Sequence, residues 1–155
     1  NVCKTIEKQA NKLGVFGHGY TYSAHPVCAA VALKAQKLIK ERKIIDHVKM
    51  VSPVFNKRIK SLGNKFQFIG NSRSVGLIGA LEFSYENNIK FDSKKKIAAQ
   101  AVKYIQDQGV ILRALPGDII GICPPLIISE NETNEMFNSI EIGLSEIEKS
   151  MSTFK

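Results

Sequence analysis

Apolar positions along the first third of the chain recur every three to four residues, and the recurrence turns to alternation further on. Val27, Val31, Ala35 and Leu38, joined by Ala30 and Ile39, predict a helix from Pro26 to about Arg42. Pro26 falls where a first helical turn tolerates a missing N–H. The small alanines predict close packing against another element. Ile44, Ile45, Val48, Val51, Phe55, Ile59 and Leu62 mark a second helix, with Gly63 as its stop and a kink or break at Pro53. Val75, Leu77, Leu81 and Phe83 then alternate, with Ile78 and Ala80 on the other face, which predicts one strand covered on both sides. Gly76 and Gly79 in that strand imply a bulge or a close backbone contact.

A third helix is predicted from Asp92 to Gln108, capped by Asp92 or Ser93 and ended by Gly109. Two short strands flank "LPGD", where Pro116-Gly117 suits a type II turn. Pro124-Pro125 ends the second of them. Ser129 and Glu132 have capping-box spacing before a last helix striped by Met136, Phe137, Ile140, Leu144, Ile147 and Met151. Residues 1–15 read as a short helix or connector. The order of elements gives an α+β domain, a small and mostly antiparallel sheet with helices packed on one face.

Composition changes this picture little. The chain has 155 residues, 44% of them hydrophobic and 23% charged, enough for one domain with a core. The net charge of +8 is concentrated in residues 1–60, with 12 Lys/Arg against 3 Asp/Glu. No groove-reading motif accompanies it, so a solvated lysine-rich surface is expected and nucleic acid is not. No apolar run is long enough for a membrane helix, and no membrane partner is expected. Cys3, Cys28 and Cys123 lie far apart with no paired-ligand spacing, so buried or idle thiols in a reducing compartment are expected, and no metal.

Two polar constellations stand out. "FGHGYTYSAHP" gathers Gly17, Gly19, Thr21 and Ser23 just before a helix. Hydroxyls and helix-start amides suit an anion such as phosphate, and equally an ordinary capped loop. His18 and His25 have no partner at metal spacing. Arg113 lies in an apolar strand beside the turn. It either pairs with a carboxylate, Asp118 being the nearby candidate, or offers its fork to an anionic ligand.

The ordered series "GHGYTYSAHPVCAAVAL", "RSVGLIGALEF" and "ILRALPGDIIGICPPLIIS" resembles the C-terminal part of class III pyridoxal-phosphate-dependent aminotransferases, nearest to the omega-amino acid or amine:pyruvate transaminases. Ala24 departs from the pattern, which commonly has Gly there. The resemblance implies the C-terminal small domain of fold-type I pyridoxal-phosphate transferases. Residues 1–24 would be a connector and cofactor-phosphate loop, and residues 25–155 the small domain, including an interdomain helix at 26–42. It implies that Thr21, with Tyr20 beside it, serves the cofactor phosphate of a neighbouring subunit in a homodimer. It implies that Arg113 binds the substrate carboxylate.

The family's Schiff-base lysine belongs upstream in a large cofactor-binding domain. Lys4, Lys8 and Lys12 are not in that lysine's context and read as an exposed basic face. The chain is therefore expected to be a C-terminal fragment of an enzyme that moves an amino group from an amine or omega-amino acid to a keto acid such as pyruvate. It is expected to hold no catalytic residue by itself, to be inactive alone, and not to bind pyridoxal 5'-phosphate without the large domain. The cytoplasm is the expected compartment. The alternative is a non-catalytic interaction or scaffold domain derived from a truncated aminotransferase.

Overall fold

A computed structural model of the chain describes residues 1–85 and 89–152. It divides into two compact units, residues 1–39 and 40–155.

In the first unit, α1 (Val2–Leu13) is followed by a loop and by α2 (Pro26–Glu41), most of which belongs here. Pro26 opens α2 as its missing N–H allows. Neither helix buries a residue. Val27, Val31 and Leu33 of α2 are more than 60% exposed, so the close packing expected of its alanines is not made within this unit.

In the second unit, α3 (Ile44–Lys65) runs through Pro53 without a break. The proline withholds the N–H that the Lys49 carbonyl would receive, and the Ser52 hydroxyl donates to that carbonyl instead, at 3.2 Å. The helix also runs past Gly63, which therefore is not its stop. A Cβ at Gly63 would collide with the Ser72 side chain, so this glycine serves close contact between helix and strand.

The expected single strand at 75–83 is instead half of a hairpin, β1 (Ile69–Val75) and β2 (Ile78–Phe83), paired antiparallel. Gly76 has φ +56 while Leu77 does not share the positive value, as a II′ turn requires. The alternation is real but serves one covered face only. Leu81 and Phe83 are buried, whereas Val75 and Ile78 are exposed. Gly79 lies against Phe55 and Ile59 of α3, the close contact that its lack of a side chain permits.

A single 3-10 turn at Ser93–Lys95 precedes α4 (Ile97–Asp107), so Asp92 caps that turn, through the Lys94 amide, rather than the helix. Gly109, at φ +86, follows the end of α4. Strands β3 (Arg113–Leu115) and β4 (Ile119–Ile122) complete an antiparallel sheet in the order β1-β2-β4-β3. The capping box forms: the Glu132 carboxylate accepts from the Ser129 amide and hydroxyl, each at 2.8 Å. It opens α5 (Glu130–Ser152), whose Phe137, Ile140, Leu144 and Ile147 are fully buried.

Helices α3, α4 and α5 pack with one face of the sheet around a single apolar core. This is the α+β arrangement that the sequence pattern predicts. Among the described residues of this unit, the opposite sheet face has no covering element. Cross-strand neighbours on that face include Arg73, Ala80, Gly121 and Arg113.

Candidate functional site

The first unit holds the polar loop. The Tyr20 amide donates to the Ser23 hydroxyl at 2.9 Å, and the Ser23 amide returns a bond to the Tyr20 carbonyl at 2.9 Å. Ser23 thus closes the turn. Ala24 follows at φ +58, a conformation that glycine adopts more cheaply. His25 caps α2: its Nδ1 accepts from the Cys28 amide at 3.5 Å, and its carbonyl accepts from the Ala29 amide. The residue before a proline-led helix is a natural cap position, and that was the signal available for His25. Thr21 sits at the exposed apex, and its hydroxyl has no partner among the described residues. Tyr20 is 76% exposed, with its ring edge-on to His18 at 5.1 Å. An exposed hydroxyl held by a closed turn fits a phosphate oxygen, which accepts such hydrogen bonds.

The second unit holds Arg113, exposed on edge strand β3 and paired in register with Gly121 of β4. The sequence offers Asp118 as its partner, and the structure places Asp118 elsewhere. The Asp118 carboxylate accepts from the Ala98 amide at 3.1 Å, in the first turn of α4. Its carbonyl accepts from the Phe83 amide at 2.9 Å. Lys96, the residue that opens α4, provides no side-chain cap, so Asp118 supplies the acceptor from across the fold. Asp118 holds φ +54 directly after Gly117 at φ +86, so the turn carries two left-handed residues where one was expected. Arg113 is left without an ion-pair partner among the described residues.

Beside Arg113 lies a cleft of about 450 Å³, lined by residues 110–113 and 121–125 and by Ile128 and Met136. Its lining is mostly apolar, with Arg113 the cation among it. Such a surface suits a small carboxylate attached to carbon. Pro124, Pro125 and Ile128 of this lining belong to a segment that connects to α3 through a bond that no local sequence signal announces. His47 Nε2 donates to the Ile128 carbonyl at 2.8 Å, across 81 positions of sequence. The three cysteines are unpaired and exposed, not buried. No helix among the described residues is long and apolar enough to cross a membrane.

Both units have counterparts among known proteins. The family described as Aminotransferase class-III matches residues 2–144, and the chain belongs to it. Gamma aminobutyrate transaminase 1, mitochondrial, of Solanum lycopersicum is 36% identical over 156 residues, covering 99% of this chain and 30% of that relative. The uncharacterized aminotransferase y4uB of Sinorhizobium fredii is 37% identical over 138 residues, 87% of this chain and 30% of the relative. Among solved structures, the omega-transferase of Vibrio fluvialis JS17 superposes with a TM-score of 0.85 at 30% identity, over 97% of this chain and 36% of that one. A PMP-bound aminotransferase of Vibrio fluvialis gives 0.81 at 31%, over 93% and 32%. The chain spans about a third of the length of these relatives.

Proposed function

We propose that the whole protein is a pyridoxal-phosphate-dependent aminotransferase. It moves an amino group from an amine or omega-amino acid to a keto acid such as pyruvate. The relatives named for γ-aminobutyrate and the PMP-bound neighbour support this reading. When bound, pyridoxal phosphate supplies the carbonyl group that carries nitrogen between the two substrates. Residues 1–24 form the connector and phosphate loop in this reading, and residues 25–155 the small domain. The tethering lysine belongs to a large cofactor-binding domain, while Lys4, Lys8 and Lys12 stay on the exposed surface of α1. Thr21 donates its hydroxyl to the phosphate of the neighbouring subunit of a homodimer, and Tyr20 lines that pocket. The exposed, unpaired thiols suit a reducing compartment such as the cytoplasm.

The observation that carries the reading is the guanidinium of Arg113, which has no ion-pair partner among the described residues, the Asp118 carboxylate meeting the Ala98 amide. A planar fork in a mostly apolar cleft grips a substrate carboxylate with two charge-assisted hydrogen bonds. Arg113→Ala in the whole enzyme tests it. The expected result is a KM for the keto acid raised about 10- to 100-fold, with the cofactor's visible absorbance intact. An amine donor that lacks a carboxylate keeps its half-reaction rate. Unchanged keto-acid turnover would refute the assignment.

A further inference from the structure

We infer that His47 is a positioning residue for the carboxylate cleft: it ties the segment between β4 and α5 to α3, and that segment walls the space beside Arg113. The inference rests on the reading of Arg113 given above.

The segment has little internal support. Pro124 and Pro125 donate no N–H. Its one internal backbone bond runs from the Ile128 amide to the Pro125 carbonyl at 3.0 Å. Leu126 and Ile127 at its tip are exposed. Support comes from its far end, where Ser129 is locked to Glu132 and the Ile128 side chain is buried. It also comes from His47, half-buried near the start of α3, whose Nε2 donates to the Ile128 carbonyl. A carbonyl can only accept, so Nε2 bears the hydrogen. Because α3 is anchored in the core by Val51, Phe55 and Ile59, this bond refers the wall to the rigid part of the unit.

The consequence is chemical. A carboxylate gripped by Arg113 competes with water, and an apolar wall that stays in place keeps water away and strengthens the pair. A wall that swings admits water and weakens the grip in ground and transition states alike. That raises KM and leaves kcat nearly unchanged.

The test compares His47→Ala with His47→Gln in the whole enzyme. Glutamine keeps an N–H donor at nearly the reach of Nε2. In His47→Ala, hydrogen exchange in the peptide covering residues 123–132 is expected to speed up about tenfold. The keto-acid KM is expected to rise about tenfold with kcat within twofold, and a carboxylate-free amine to be unaffected. His47→Gln is expected to restore both readouts. Unchanged exchange in His47→Ala overturns the tie. Equal damage to the carboxylate-free amine, or no rescue by glutamine, overturns the positioning role in favour of a merely structural one. If Arg113→Ala leaves the keto-acid KM unchanged, the carboxylate reading falls and the cleft role with it. The exchange result then judges the tie alone.

Discussion

Asp118 illustrates how a residue's role departs from its immediate neighbourhood. Beside Arg113 in sequence, it looks like a salt-bridge partner, yet its carboxylate serves the first turn of α4 and its carbonyl serves β2. Local sequence offers no sign of this, because the acceptor that α4 needs comes from 20 positions away. Glu82 shows the opposite case, a surface charge with real partners. Arg73 donates to it at 2.9 Å and Lys90 approaches at 3.5 Å. The hydrogen bond from Arg73 holds the Glu82 carboxyl below its ordinary value of 4.5, helped by the charges of Lys90 and Arg73 and opposed by partial burial. Glu132 is lowered too, by the Ser129 amide and then its hydroxyl. A carboxyl with a lowered folded pKa contributes stability above its unfolded value, and that contribution is lost as pH falls through the folded value. Stability should therefore decline as pH drops below about 4.5. Glu82→Gln should flatten that acid limb, as read from urea midpoints between about pH 3 and 6. An equally steep limb in the variant would show that Glu82 has no part in it.

At the scale of elements, glycines decide how closely the layers approach. Gly143 on α5 faces Ile105 of α4, where an added Cβ would lie 2.6 Å from Cγ1 and 2.7 Å from the backbone Cα and N. Two of those atoms are backbone, so the clash can be relieved only by moving one helix. Gly143→Ala should cost about 1–3 kcal/mol in urea denaturation. Gly17→Ala, with nothing within 4 Å and no positive φ, should stay within about 0.5 kcal/mol. Equal effects at the two sites would contradict the close helix contact. Sequence periodicity found α2 to α5 and both short strands, because each apolar stripe follows the pitch of its own element, although the stripe of α2 stays unburied within residues 1–39. It misjudged the hairpin and Gly63. A glycine that ends a helix and one that admits a neighbouring strand look the same in one dimension.

At the scale of the whole molecule, the two units differ in kind. Residues 40–155 enclose the buried core, from Val51 to Ile147. Residues 1–39 bury no side chain and expose Val15, Phe16, Tyr20, Tyr22 and Leu33. Segments without buried apolar contacts open first. Limited proteolysis should therefore cut within residues 14–25 early and leave a resistant product beginning near residue 40, identified by mass spectrometry. First cuts inside α3 or α5 would argue against this division.

The sequence by itself determined the class of fold, the helix stripes, the capping box at Ser129 and the family, because each rests on residues close together or on motifs kept in order. It also offered Thr21, Ser23 and Arg113 as groups suited to an anion, while Tyr20 entered only through the family resemblance. Only the tertiary structure decided that the Asp118 carboxylate meets the Ala98 amide, that no described element of residues 40–155 covers the second face of the sheet, and that His47 bonds to the Ile128 carbonyl. Those outcomes depend on which donors and acceptors folding brings within 3 Å of each other, and partners 20 or 81 positions apart leave no mark on local pattern.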